Sequence, residues 1–209
     1  MSLLDFGLYV ISDEGVSKRS HVQVVKELVD GGVRFIQLRD KHRSDRELLR
    51  TAIEVARICH RSGAKLIVND RVDIAVLSGA DGVHLGQEDL PIEYVKRIVP
   101  GDFIIGVTVH SVREALVAAA SGATYLGAGS VFPTKTKENI KLIGLDGLRE
   151  IASAVNIPVV AIGGISLDNV EDVIRMGASG VAVVSAIISK DDIRSAALLF
   201  TEKLHLFTR

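Results

Sequence analysis

The feature that most constrains this chain is a unit that recurs eight times. Each unit is a short apolar run, a few polar residues, and then a segment with helical spacing. The runs are Leu8–Ser12, Val33–Leu38, Leu66–Val68, Gly82–Leu85, Phe103–Val107, Thr124–Leu126, Pro158–Ile162 and Gly180–Val184. The helical segments between them are Val22–Val29, Asp45–Arg61, a short stretch closed by Gly79, one opened by Pro91, then Ser111–Ser121, Leu145–Val155, Leu167–Met176 and about Asp191–Leu206. Glycines close several of them, as at Gly31, Gly63, Gly122 and Gly177, where a left-handed cap residue is favoured.

Strands alternating with helices over short connections demand a parallel sheet with right-handed crossovers. Eight such units predict an α/β fold of one domain over residues 1–209, a compact (β/α)8 TIM barrel with parallel strands. A hydrophobic share of 47% suits strands buried on both faces. The rival, an open doubly wound sheet, usually carries a glycine-rich first turn. Ile11-Ser12-Asp13-Glu14-Gly15 is not one.

Charge and cysteine content narrow the function. Lys+Arg 25 against Asp+Glu 26 leaves a net charge of -1, which offers nucleic acid no basic surface. Neither a signal-peptide pattern nor a membrane-length apolar run is present, so no membrane partner and a cytoplasmic location are expected. The single cysteine, Cys59, falls in a helical pattern and reads as a packing residue.

In a barrel of this kind chemistry sits at the carboxyl ends of the strands. The residues there are Gln37, Arg39 and Lys41; Asn69 and Asp70; His84 and Asp89; Thr108; Thr134, Thr136 and Lys137; Gly163 and Gly164; and Val184 and Ser185. Gln37, Arg39 and Lys41 alternate and therefore share one side of an extended chain. Two cations and an amide suit a phosphate or diphosphate, although a solvated strand end would look the same. Asp70 and Asp89 would each serve as a helix cap, or together as ligands of Mg²⁺ alongside a phosphorylated substrate. Gly163-Gly164 reads either as a tight turn or as backbone N–H groups open to phosphate, joined by the turn at Val184-Ser185. His84 and His110 are ambiguous between core and site, Tyr9 between core and mouth, while His21, His42, His60 and His205 read as surface residues. No nucleophile stands out, which points to a protein that orients two substrates and stabilises a leaving group.

Five stretches then resemble one family in order: Gln37 to Lys41, Asn69-Asp70-Arg71, ADGVHLGQED from Ala80 to Asp89, Pro133 to Lys137, and AIGGI from Ala161 to Ile165. They look like thiamine-phosphate synthase, also called thiamine-phosphate pyrophosphorylase. The resemblance implies an enzyme, a transferase that condenses hydroxymethylpyrimidine diphosphate with a thiazole phosphate or its carboxylated form. The products would be thiamine phosphate and diphosphate, with CO₂ from the carboxylated substrate. It implies that Gln37, Leu38, Arg39, Asp40, Lys41, Asn69, Thr108 and Lys137 hold the pyrimidine diphosphate. Thr134, Lys135, Thr136, Gly164, Val184 and Ser185 would hold the thiazole phosphate, and Asp70 and Asp89 the cofactor Mg²⁺. Arg39, Lys41, Thr108 and Lys137 would act catalytically, in a dissociative reaction in which diphosphate leaves first. The partners are then two phosphorylated small molecules, with a homo-oligomer allowed. Where the family commonly has Ser, this chain has Thr108 in the run Gly106 to His110, which keeps the hydroxyl and adds a methyl. A thiazole tautomerase paralogue, a silent thiamine-phosphate-binding regulator and a general phosphate-binding isomerase barrel are the competing readings.

Overall fold

A computed structural model describes residues 6–134 and 141–207. Its eight strands are β1 (Gly7–Ser12), β2 (Phe35–Leu38), β3 (Lys65–Asn69), β4 (Gly82–Leu85), β5 (Ile104–Val109), β6 (Tyr125–Gly129), β7 (Val159–Ile162) and β8 (Gly180–Val183). All neighbours are parallel, and β8 pairs back to β1 with Leu8 opposite Val181, so the sheet closes into a barrel in chain order. The expected (β/α)8 architecture is therefore the observed one.

The helices lie outside the barrel, and local chemistry sets their ends. They are α1 (Glu14–Ser17), α2 (His21–Asp30), α3 (Asp45–Arg61), α4 (Val72–Ser78), α5 (Ile92–Val95), α6 (Val112–Ser121), α7 (Gly144–Ala154), α8 (Val170–Arg175), α9 (Ser185–Ile188) and α10 (Ile193–His205). Ser20 and Gln23 satisfy one another's backbone N–H groups at the start of α2, a reciprocal capping box. At the end of α4, Gly79 takes a left-handed φ of 71° and closes the helix with its own N–H. Among the described residues no helix is long and apolar enough to cross a membrane.

Two expectations change here. The helix expected from Leu167 begins only at Val170, because the Asn169 side chain accepts from Ser166 N–H at 2.8 Å and donates to the Gly164 carbonyl at 3.0 Å. Those bonds hold the preceding residues as a turn. His21, expected at the surface, is 1% exposed. It belongs to the buried face of α2 with Val24, Val25 and Leu28, an i, i+3, i+4, i+7 pattern.

The strands have two buried faces. One packs against the helices and includes Val10, Ile36, Leu66, Val83 and Leu126, with Cys59 of α3 in the same layer. The Cys59 thiol is pushed up to about 12, chiefly by burial, which suits a packing role. The other face fills the barrel interior with Phe6, Tyr9, Ile11, Phe35, Ile67, Ile104, Tyr125, Val160 and Ala182. Aromatic rings dominate its floor: Phe6 stacks at 4.5 Å from Phe35 and 4.6 Å from Tyr125, centroid to centroid.

Space for those rings comes from glycine. A Cβ on Gly106 would lie 2.1 Å from the Tyr125 ring carbon Cζ. Gly106→Ala is therefore expected to overpack the interior and cost about 1–3 kcal/mol or more. A denaturant titration should show a lower midpoint with an unchanged slope; a midpoint equal to that of the parent chain would refute the packing argument.

Candidate active site

The carboxyl ends of β1, β2 and β5 to β8 enclose a cavity of about 170 Å³. Its walls include Asp13, Arg39, Thr108, His110, Ser130, Thr134, Gly163, Gly164, Val184 and Ser185. Six of the residues expected at the site, Arg39, Thr108, Thr134, Gly164, Val184 and Ser185, thus meet around one space although they span much of the chain. Asp13 and Arg39 also line a second opening of about 240 Å³, shared with Lys41 and Asp40.

The glycine pair after β7 is there for steric reasons. Gly163 has φ 103° and Gly164 φ 63°, a region that side chains disfavour. A Cβ on Gly163 would lie 1.9 Å from Ser130 Oγ, and one on Gly164 2.5 Å from the Pro133 carbonyl. The loop after β6 lies directly against them, with Phe132 N–H donating to the Gly163 carbonyl at 3.0 Å. Two backbone segments can approach this closely only without side chains, and Thr134 is carried to the cavity wall as a result.

The strand end after β2 divides its residues between tasks. Gln37 is 2% exposed and points into the barrel, where its amide donates to Tyr9 OH at 2.7 Å. Arg39 reaches the mouth and pairs with Asp13. Lys41 approaches Asp70 at 3.5 Å. The Leu38 side chain, by contrast, is buried in the layer between sheet and helices, so only its backbone faces the strand ends.

Asp40 lines only the second opening. Its carboxylate accepts from His42 N–H, from Arg43 N–H and Nε, and from His21 Nε2 at 3.1 Å. Burial alone would raise this carboxyl, but those donors outweigh it and hold it below its ordinary range. Asp40 thus shapes the loop that presents Arg39 and Lys41.

Glu14, His21 and Asp40 place one ligand atom each within 4.8 Å of one another, a candidate metal-binding triad among the described residues. Each is already engaged. Arg43 donates to both Glu14 oxygens at 2.7 and 2.8 Å, and His21 Nδ1 meets Ser12 Oγ at 3.0 Å. The Arg43 guanidinium supplies the positive charge that a cation would bring.

Asp70 and Asp89 form a different kind of pair. Asp70 holds a left-handed φ of 61°, unusual for a residue with a side chain, and its N–H donates to the His84 carbonyl at 2.8 Å. Burial first, then the hydrogen bond and charge of Asp89, raise the Asp70 carboxyl above its ordinary value, with Lys41 offsetting part of that. Asp89 also accepts from Gly86 N–H at 2.6 Å. Two carboxyls forced together beside a lysine are hard oxygen donors suited to a small divalent cation. Asn69, at the end of β3, adjoins them. Lys135, Thr136 and Lys137 lie outside the described residues.

Comparison with known proteins follows the same line. A family described as thiamine monophosphate synthase matches residues 8–187. The chain belongs to that family. A thiamine-phosphate synthase of Chloroflexus aurantiacus is 47% identical over 93% of this chain and 91% of its own length. One from Pyrococcus horikoshii is 48% identical over 90% of both chains. The solved thiamine phosphate pyrophosphorylase of Pyrococcus furiosus superposes with a TM-score of 0.92 at 42% identity, covering 98% of each chain. A 3-hexulose-6-phosphate synthase, at 19% identity and TM-score 0.72 over 94% of this chain and 99% of its own, shares the fold. Thiamine-phosphate synthase activity is thus the activity these likenesses support.

Within this family member, two residues at the mouth, Asp13 and Ser130, escaped the sequence reading, and His110, left ambiguous there, proves to line the cavity. Asp13 directly follows β1, a strand whose end was not weighed with the others, and it pairs Arg39. Ser130 and His110 line the cavity, His110 with its ring 3.3 Å from Glu114.

The buried His21 has a consequence for stability. Burial lowers its pKa below the ordinary 6.5, with Asp40 and Glu14 opposing the shift. A group that resists protonation only when folded contributes stability above its ordinary pKa and loses it as pH falls through and below that value. Unfolding free energy should therefore decline as pH drops below 6.5. The decline should be shallower in His21→Asn, and parallel profiles for the two proteins would contradict this account.

Proposed function

We propose that the chain joins a pyrimidine-methyl diphosphate to a thiazole phosphate, releasing diphosphate and forming thiamine phosphate. The observation that carries the reading is the meeting of Arg39, Thr108, Thr134, Gly164 and Val184-Ser185 around one cavity, together with the grouping of Lys41, Asp70 and Asp89, of which Lys41 lines the opening that shares Arg39. It is supported by the identity with thiamine-phosphate synthases along nearly the whole chain.

In this reading the thiazole phosphate lies against the loops after β6, β7 and β8. Gly163 and Gly164 bring backbone to the cavity wall, and Thr134 and Ser185 offer hydroxyls. The pyrimidine diphosphate lies toward β2, β3 and β5, where Arg39 and Lys41 neutralise its charge and Thr108 meets the ring. Asp70 and Asp89 would hold Mg²⁺, which supplies charge neutralisation for the diphosphate as it departs.

The reaction needs no protein nucleophile. The bond between the pyrimidine methylene and the diphosphate oxygen breaks, and its electron pair leaves with the diphosphate. The thiazole nitrogen then forms the new C–N bond to the methylene carbon; a carboxylated thiazole would also lose CO₂. Arg39, Lys41 and Lys137 stabilise charge on the leaving group, and the mouth holds the two reactants in line. The inward wall of Ile11, Ile162 and Ala182 limits water at the reacting carbon.

Purified protein with both phosphorylated substrates and Mg²⁺ should yield thiamine phosphate and diphosphate, and no product with or without metal would reject the reading. Asp70→Asn gives a sharper test. Loss of a ligand to a charge-stabilising ion worth several kcal/mol should lower turnover by on the order of 100-fold or more. The same change should raise thermal stability at neutral pH. The ionised Asp70 is disfavoured in the folded state, and Asn tolerates the left-handed backbone. Because the carboxyl pKa is raised by folding, that gain should vanish as pH falls below the ordinary carboxylate range. Full activity, or a loss of both activity and stability, would mean that the two carboxylates serve the fold instead.

A further inference from the structure

A chain of hydrogen bonds crosses the barrel interior from the buried Gln37 to Thr108 at the mouth. Gln37 Nε2 donates to Tyr9 OH at 2.7 Å, and Tyr9 OH lies 3.0 Å from Tyr125 OH. Tyr125 OH lies 2.8 Å from His84 Nδ1, and His84 Nε2 lies 2.8 Å from Thr108 Oγ1. It runs through β2, β1, β6, β4 and β5, and its two tyrosines are almost wholly buried.

The order of donors along it is determined from one end. An amide nitrogen has hydrogens only to give, so the Tyr9 oxygen accepts from Gln37. Burial holds both phenols well above their ordinary pKa, so each keeps its single hydrogen. Among the described residues the one acceptor within reach of the Tyr9 hydrogen is Tyr125 OH, and the one then left for the Tyr125 hydrogen is His84 Nδ1, so full pairing of the buried hydroxyls sets both directions. The neutral imidazole then carries its hydrogen on Nε2 and donates to Thr108 Oγ1. The Thr108 hydroxyl, accepting from behind, turns its own hydrogen toward the cavity it lines.

We propose that Tyr9, Tyr125 and His84 are positioning residues that make Thr108 a hydrogen-bond donor toward an acceptor atom of the substrate, such as a heteroaromatic ring nitrogen. This rests on the reading that Thr108 meets the pyrimidine. A polarised chain discriminates: a ring nitrogen or an oxygen is accepted at this point, and an N–H group is not. Gln37 then contributes twice, as a residue at the strand end and as the anchor that sets the direction. The methyl of Thr108 is consistent with the same role, because a β-branched side chain holds fewer rotamers than Ser.

Two measurements test this, and they separate its failure from that of the functional reading. In ligand-free protein labelled with ¹⁵N-histidine, the His84 resonance, assigned by its loss in His84→Gln, should report the Nε2–H tautomer. In Tyr125→Phe, which removes the donor to Nδ1, it should move toward the Nδ1–H tautomer. An Nδ1–H or doubly protonated ring in the parent chain overturns the proposal. If the parent makes no thiamine phosphate while its His84 is Nε2–H, the functional reading fails and the polarity stands.

With turnover, Tyr125→Phe should raise KM for the pyrimidine diphosphate by roughly 3- to 10-fold, the scale of one hydrogen bond, while KM for the thiazole phosphate stays unchanged. On a Thr108→Val background the same substitution should add no further loss. His84→Gln, which returns an amide N–H near Nε2, should recover part of what His84→Leu loses. Equal losses for both substrates, or losses that add fully across the double mutant, would mean that the chain only stabilises the barrel.

Discussion

Eight parallel strands closed on themselves leave an interior that side chains alone must fill, and the rest of this structure answers to that constraint. Phe6, Tyr9, Phe35 and Tyr125 occupy the floor and middle of the space. Strand glycines, Gly106 above all, make room for them. Two of the rings carry hydroxyls, and an unpaired buried hydroxyl costs about 1–3 kcal/mol. The interior therefore needs hydrogen-bond partners as well as volume. Gln37 and His84 pair the phenols, and pairing them carries a defined polarity upward to Thr108 at the mouth. Packing at the floor and hydrogen bonding at the site are parts of one arrangement.

Charges at the mouth fall into two groups that differ in how well they are paired. Glu14, His21, Asp40 and Arg43 saturate one another with short bonds and hold the loop after β2 in place. Lys41 and Asp70 meet at 3.5 Å, and Asp70 sits against a second carboxyl in a disfavoured backbone region. Like charges held together beside paired neighbours are the arrangement on which the proposed cation site rests. The contrast also explains why neighbours in sequence differ: the Asp40 carboxylate is taken up by His21 and Arg43, while Lys41 meets Asp70.

Much of this was legible in the chain. The eight recurring units announce the barrel because a strand's apolar run and a helix's spacing are local patterns. The glycine pair at Gly163-Gly164 and the alternation of Gln37, Arg39 and Lys41 were visible for the same reason. His21 was also legible in principle, since Val24, Val25 and Leu28 share its helical face. The turn before α8 was less so, because it depends on where the Asn169 amide finds its partners.

By itself, then, the sequence determined the order of strands and helices and which residues end each strand, since backbone periodicity and capping act over a few residues. Only the tertiary structure decided which of those residues would share a cavity and which would be spent on support. It separated Asp40 from Asp70, withdrew the Leu38 side chain into the outer layer, and joined Gln37 to Thr108 through two tyrosines and a histidine. The link from Gln37 to Thr108 depends on partners tens of residues away, brought within about 3 Å only when the barrel closes.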